Sequence, residues 1–156
     1  MVETDAQAEF KQGVDLLRGG LPGDAIEYFR SAAESDKRNP YYLSFLGLSV
    51  ARARKKVAAA LELCEAALRL KHDEPEFYLN LAEVYVCADR REKAIATLDS
   101  ALKRFGRNDL IKRERNRLGK RGNRVLPFLA REHFANRALG QLRHQTLKRL
   151  HKTRTA

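Results

Sequence analysis

A spacing constrains this chain more than any other feature. Three helix-start signals, Asn39-Pro40, Glu74-Pro75 and Asn108-Asp109, follow one another at intervals of 35 and 34 residues. Asn offers a side-chain oxygen to the unpaired amides of a helix start, and Pro at the first helical position lacks an N–H that would be orphaned there anyway. Aligned from these points, small residues fall into columns: Gly13, Gly47 and Ala82, then Ala25, Ala60 and Ala94, then Ala32, Ala67 and Ala101. Small side chains in fixed columns let two antiparallel helices approach closely, where larger ones would hold them apart. Large apolar residues fill the adjoining columns, Leu16/Leu17, Val50 and Tyr85 in the first helix of each unit and Phe29, Leu63/Cys64 and Leu98 in the second. A unit of this length cannot bury its apolar face alone, so stacking of neighbours must supply the core.

The segments "AIEYFRSAAESDKRNPYYLSFLGL", "ALELCEAALRLKHDEPEFYLNLAEVY" and "KAIATLDSALKRFGRND" resemble the tetratricopeptide repeat (TPR) pattern over residues 5–108, as three repeats. Two departures stand out. Glu9, Leu43 and Tyr78 replace the tryptophan usual near the start of each repeat, and one extra residue sits around "ARARKKVAAA". The resemblance implies an all-α fold, a right-handed solenoid of three helical hairpins. Helices are predicted near 5–18, 22–35, 40–53, 57–70, 75–88 and 91–104, with a capping helix near 109–118. Gly19-Gly20, Lys55-Lys56 and Asp89-Arg90 mark turns within the hairpins, and Gly106 is a helix stop. The capping stretch "DLIKRERNRLGK" is apolar only at Leu110, Ile111 and Leu118, as suits a terminal helix with one wet face.

TPR arrays expose the first helix of each repeat on a concave face, and carrying that face over by column names a groove. Repeat one would contribute Phe10, Lys11, Val14 and Arg18; repeat two Tyr41, Ser44, Phe45, Leu48 and Arg52; repeat three Glu76, Leu79, Asn80, Glu83 and Cys87. One subset of the family clamps a C-terminal carboxylate with Lys and Arg in columns that here read Phe10, Val14, Phe45, Glu76 and Asn80. Only the asparagine matches, and a glutamate stands where a lysine is needed, so no carboxylate clamp is expected. What remains is an apolar, aromatic strip with Glu76 and Glu83 at its far end, suited to an amphipathic helix or extended apolar peptide of basic character. The competing reading is that Phe10, Tyr41 and Phe45 pack between repeats instead.

Charge divides the chain in two. Residues 1–106 carry 16 Lys and Arg against 17 acids, whereas residues 107–156 carry 15 against Asp109, Glu114 and Glu132, a net of +12. The expected domains are therefore 1–119, the array with its capping helix, and 120–156, a basic linker followed by an amphipathic helix. From Pro127 a helical stripe is available through Phe128, Leu129, Ala135, Ala138, Leu139, Leu142 and Leu150, with Arg131, Arg137, Arg143, Lys148 and Arg149 largely off it. Contacts of this tail are expected from Phe128, Leu129, Arg131, Phe134, Arg137, Leu139, Leu142 and Arg143. Four destinations compete: the chain's own array, nucleic acid, an anionic membrane surface, or another protein. "VLPFLAREHFANRALGQLRH" is also similar to a short extension behind some bacterial TPR proteins, which implies no activity by itself.

Catalytic and cofactor chemistry finds little support. "GKRGNR" lacks phosphate-loop spacing, His72 has no nucleophile patterned beside it, and His133, His144 and His151 are spaced too widely for one metal ion. Cys64 and Cys87 fit neither a zinc site nor a CxxC pair and read as two buried thiols in a reducing cytoplasm. No secretory leader is expected in residues 1–30, and no run of about 18 apolar residues can span a bilayer. The sequence thus points to a non-catalytic, cytoplasmic protein–protein adaptor with a protein or peptide partner and no cofactor. The alternative is a nucleic-acid- or ribosome-associated protein that binds through residues 120–156. No oligomeric state is indicated.

Overall fold

A computed structural model describes residues 4–54 and 56–119. Seven helices make up this region: α1 (Asp5–Arg18), α2 (Pro22–Ser35), α3 (Pro40–Arg54), α4 (Val57–Leu70), α5 (Pro75–Cys87), α6 (Arg91–Phe105) and α7 (Asp109–Gly119). No strand occurs among the described residues. Each of the seven helices predicted between residues 5 and 118 is present, with boundaries within one residue of those expected. The basic linker and amphipathic helix expected over 120–156, with the contact residues from Phe128 to Arg143, lie outside the described residues.

The helix starts work as the sequence suggests. Asn39 Oδ1 accepts from the Tyr41 amide and Asn108 Oδ1 from the Ile111 amide, each at 3.1 Å. Pro22 and Pro75 open α2 and α5. Thr4 adds a reciprocal cap that the repeat spacing did not indicate, in which its hydroxyl accepts from the Gln7 amide while the Gln7 side chain accepts from its own. Gly106 stops α6 in the left-handed region at φ +63°, where a side chain would be strained.

Helices α1/α2, α3/α4 and α5/α6 form three hairpins stacked in order, α2 on α3, α3 and α4 on α5, and α6 on α7. The small columns lie where the helices cross. Ala25, Ala32, Ala60, Ala67, Ala94 and Ala101 are all fully buried. A methyl group on Gly13 would sit 2.7 Å from Phe29 Cε1, and one on Gly47 2.7 Å from Cys64 Sγ and 2.9 Å from the Ala60 carbonyl oxygen. Core clusters bridge successive hairpins: Phe29 with Leu17, Phe45 and Leu48, Cys64 with Leu81 and Val84, and Leu98 with Ile111 and Leu118. Burying each of these large side chains stabilises the stack by about 1.5–3 kcal/mol. Among the described residues no helix is long and apolar enough to cross a membrane.

Candidate functional site

The first helices of the hairpins share one face. Val14, Leu17 and Arg18 on α1, Phe45, Leu48 and Arg52 on α3, and Glu76, Asn80 and Glu83 on α5 together line a cavity of about 380 Å³. The intervals of three, four and seven residues on α3 and α5, and of three and four from Val14 on α1, place each trio on one side of its helix. Leu17, Phe45, Leu48 and Asn80 are buried and form the floor, while Arg18, Arg52, Glu76 and Glu83 stand at the rim. Asn80 Nδ2 donates to Ser44 Oγ at 3.0 Å, so one N–H of this amide is used within the floor.

The rim charges are unequally satisfied. Arg52 Nε donates to Glu83 Oε1 at 2.7 Å, with Nη2 at 2.5 Å from the same oxygen. Glu76 has no ion-pair partner among the described residues. Partial desolvation in the groove raises its carboxyl above the ordinary range, with Arg18 opposing the shift and Glu74 adding to it. Of the two glutamates expected to attract a basic ligand, Glu83 is thus already neutralised, which leaves Glu76.

A second cavity of about 350 Å³ adjoins the first through Glu83. Its apolar lining comes from Leu79, Ala82 and Val86 on α5, Leu98 on α6, and Leu110 and Leu118 on α7, and Arg113, Glu114 and Arg117 border it.

Eight of the residues named from the sequence, Val14, Arg18, Phe45, Leu48, Arg52, Glu76, Asn80 and Glu83, come together around the first cavity, and Leu79 lines the second. Phe10 and Tyr41 line neither. The Phe10 ring packs against Phe29, Tyr42 and Phe45 at centroid distances of 5.6, 5.2 and 5.2 Å, and Tyr41 packs edge-on against Phe77 at 4.9 Å. The expected aromatic strip is therefore largely consumed in packing between repeats, because rings of that size fill the junctions where the small columns leave room. Ser44 is buried beneath the floor and Lys11 is exposed. Cys87 was expected to be buried with Cys64 but is exposed, since it ends α5 at the turn.

Leu17, Val86 and the α7 residues Leu110, Arg113, Glu114 and Arg117 were missed. A signal for the α7 set existed. Glu76, Leu79, Asn80 and Glu83 moved on by the 34-residue spacing give Leu110, Arg113, Glu114 and Arg117, so α7 continues the row of first helices.

Two family models, each described as "Tetratricopeptide repeat", match residues 10–75 and 51–113. No curated protein matches the sequence significantly. Among solved structures, the first TPR domain of the human RPAP3 protein is 19% identical with a TM-score of 0.63, and the match covers 73% of this chain and 89% of that one. The first TPR of Spaghetti, solved with an HSP90 peptide, is 18% identical with a TM-score of 0.62 over 76% and 96% of the two chains. The Yersinia enterocolitica chaperone SycD, solved with a peptide of the translocator YopD, is 16% identical with a TM-score of 0.59 over 72% and 86%. At these identities the likeness concerns the fold.

Proposed function

Because the chain belongs to the tetratricopeptide repeat family, we propose that it is a non-catalytic adaptor that takes a peptide or helix of a partner protein in the groove of its first helices. One observation carries this reading. The cavity lined by α1, α3 and α5 sets Leu17, Phe45 and Leu48 beside the Asn80 amide in its floor, beneath a charged rim, an arrangement that covers side chains while fixing their direction. Spaghetti and SycD, which share the fold, were each solved with a peptide, and this lends support to the same use here. The ligand differs from a carboxylate-terminated one. Glu76 repels a terminal carboxylate, and the Asn80 amide already serves Ser44. Glu76 instead favours a lysine or arginine side chain. Two free thiols suit a reducing compartment such as the cytoplasm.

A photo-crosslinking amino acid placed at Arg18 or Glu76 tests the proposal in cells. Discrete protein adducts should form from these positions and not from Lys103, an exposed residue of α6 that borders neither cavity. Equal labelling from all three would contradict it.

A second reading rests on the 15 Lys and Arg against 3 acids in residues 107–156. Such a segment attracts the phosphates of nucleic acid and releases counterions on binding, so affinity would fall steeply with salt. Retention on a nucleic-acid column at 50 and 300 mM salt checks it. Strong retention only at the lower salt supports this reading, and no retention at either removes it.

A further inference from the structure

We infer that the cavity between α5 and α7 is an anchor site for one apolar side chain of the bound peptide, with an acidic residue of that peptide held at its rim by Arg113. This rests on the groove reading above and specifies one end of its ligand. Leu79, Ala82 and Val86 supply an aliphatic floor. Leu110 projects from α7 with 60% of its surface exposed, the highest value among the large hydrophobics of the described residues. It does not hold α7 in place, because the buried Ile111 and Leu118 do so, packed with Leu98 in the core. A leucine left in water beside an aliphatic cavity is surface that a partner can cover.

The charges around this cavity decide what accompanies the anchor. Arg117 Nε donates to Glu114 at 2.7 Å, Arg115 Nε to Asp99 at 2.9 Å, and Glu83 is held by Arg52. Arg113 borders the cavity and has no ion-pair partner among the described residues. The unspent charge at this end is therefore a cation, whereas the neighbouring cavity keeps Glu76, with Arg18 near it, outside any ion pair among the described residues. Glu83 lines both spaces, so one ligand can run through them. The partner chemistry that fits is a segment with a basic residue toward α3 and, at the α7 end, a leucine-, methionine- or phenylalanine-sized anchor beside an aspartate or glutamate. Covering such an anchor is worth about tenfold to a hundredfold in affinity.

Selection of a random dodecapeptide phage library on the full chain, followed by titration of the synthetic consensus peptide, tests this. The consensus should contain an apolar anchor next to an acid, and its affinity should fall about tenfold or more for Leu110→Glu and severalfold for Arg113→Glu, with helicity unchanged. Replacing the anchor by alanine should weaken binding to the parent chain and cost nothing further on Leu110→Glu. A consensus whose binding is lost with Glu76→Lys but unaffected by either α7 variant would overturn the anchor site and leave the groove reading standing. Failure to enrich any peptide would overturn both. A concentration-dependent dimer abolished by Leu110→Glu would make a second copy the occupant and overturn the proposal.

Discussion

Asn80 on α5 donates its side-chain N–H to the hydroxyl of Ser44 on α3 across 3.0 Å, and both groups are buried. This bond joins the first helices of two successive repeats directly beneath the groove. Ser49, five residues along α3 from Ser44, is equally buried, yet its hydroxyl has no hydrogen-bond partner among the described residues. The same substitution should therefore have opposite signs at the two sites. Ser44→Ala strands the Asn80 amide and should cost about 1–3 kcal/mol, whereas Ser49→Ala removes an unpaid hydroxyl and should gain up to about 1 kcal/mol. Urea unfolding checks this through the midpoints, with the slope unchanged.

Gly47→Ala should destabilise the stack despite alanine's better helix propensity. The added methyl meets the Ala60 carbonyl oxygen at 2.9 Å, a backbone atom that cannot move aside. Overpacking of this kind costs about 1–3 kcal/mol, more than the roughly 1 kcal/mol gained in propensity. Gly13→Ala meets the Phe29 ring at 2.7 Å, and that ring is itself held by Phe10 and Phe45, so it should behave alike. At Gly23 nothing lies within 4 Å, and alanine there should be neutral or stabilising by up to about 1 kcal/mol. Thermal melts followed by circular dichroism rank the three.

The two thiols should separate cleanly. Burial pushes the Cys64 thiol up to about 12, and its Sγ donates to the Ser44 carbonyl at 3.6 Å, whereas Cys87 is exposed. A thiol reagent at pH 8 should modify one cysteine in the folded protein and both in denaturant. In the unfolded chain Cys64 ionises near its ordinary value of 9.0, below the folded one. Its contribution is therefore intact below about pH 9 and is lost as pH rises toward 12, at about 1.4 kcal/mol per unit. Cys64→Ala should lower stability at neutral pH and remove this share of the alkaline loss.

Groove charge should be tunable through one ion pair. Arg52 neutralises Glu83 at the rim, so Arg52→Ala should strengthen binding of a basic peptide severalfold by releasing that carboxylate. Glu76→Gln should weaken it. Because desolvation holds the Glu76 carboxyl above its usual range, binding should fall on acidification at a higher pH than an ordinary glutamate would give, and Glu76→Gln should remove that limb. Fluorescence anisotropy between pH 4 and 8 reads both effects.

The fold was highly legible because it repeats. A glycine or alanine returning every 34 or 35 positions records a backbone contact, and Gly47 against Ala60 is that contact. The groove was legible only by column, and column does not reveal what a ring does once the hairpins stack. Phe10 and Tyr41 occupy groove columns, yet their rings turn into the junctions toward Phe45 and Phe77. The pairing of Arg52 with Glu83 spans 31 residues and depends on how far the second and third hairpins approach, which spacing alone does not give. Leu110 and Arg113 were overlooked for a different reason. They belong to a helix read only as a cap, although it keeps the phase of the three before it.

Methyl resonances followed by NMR during titration with the library-selected peptide address the groove most directly. Shifts are expected at Val14, Leu48, Leu79 and Leu110, which line the two cavities, and none at Leu21 or Leu70, which are exposed but border neither. Shifts concentrated at Leu21 and Leu70, with the cavity methyls unmoved, would contradict the groove reading.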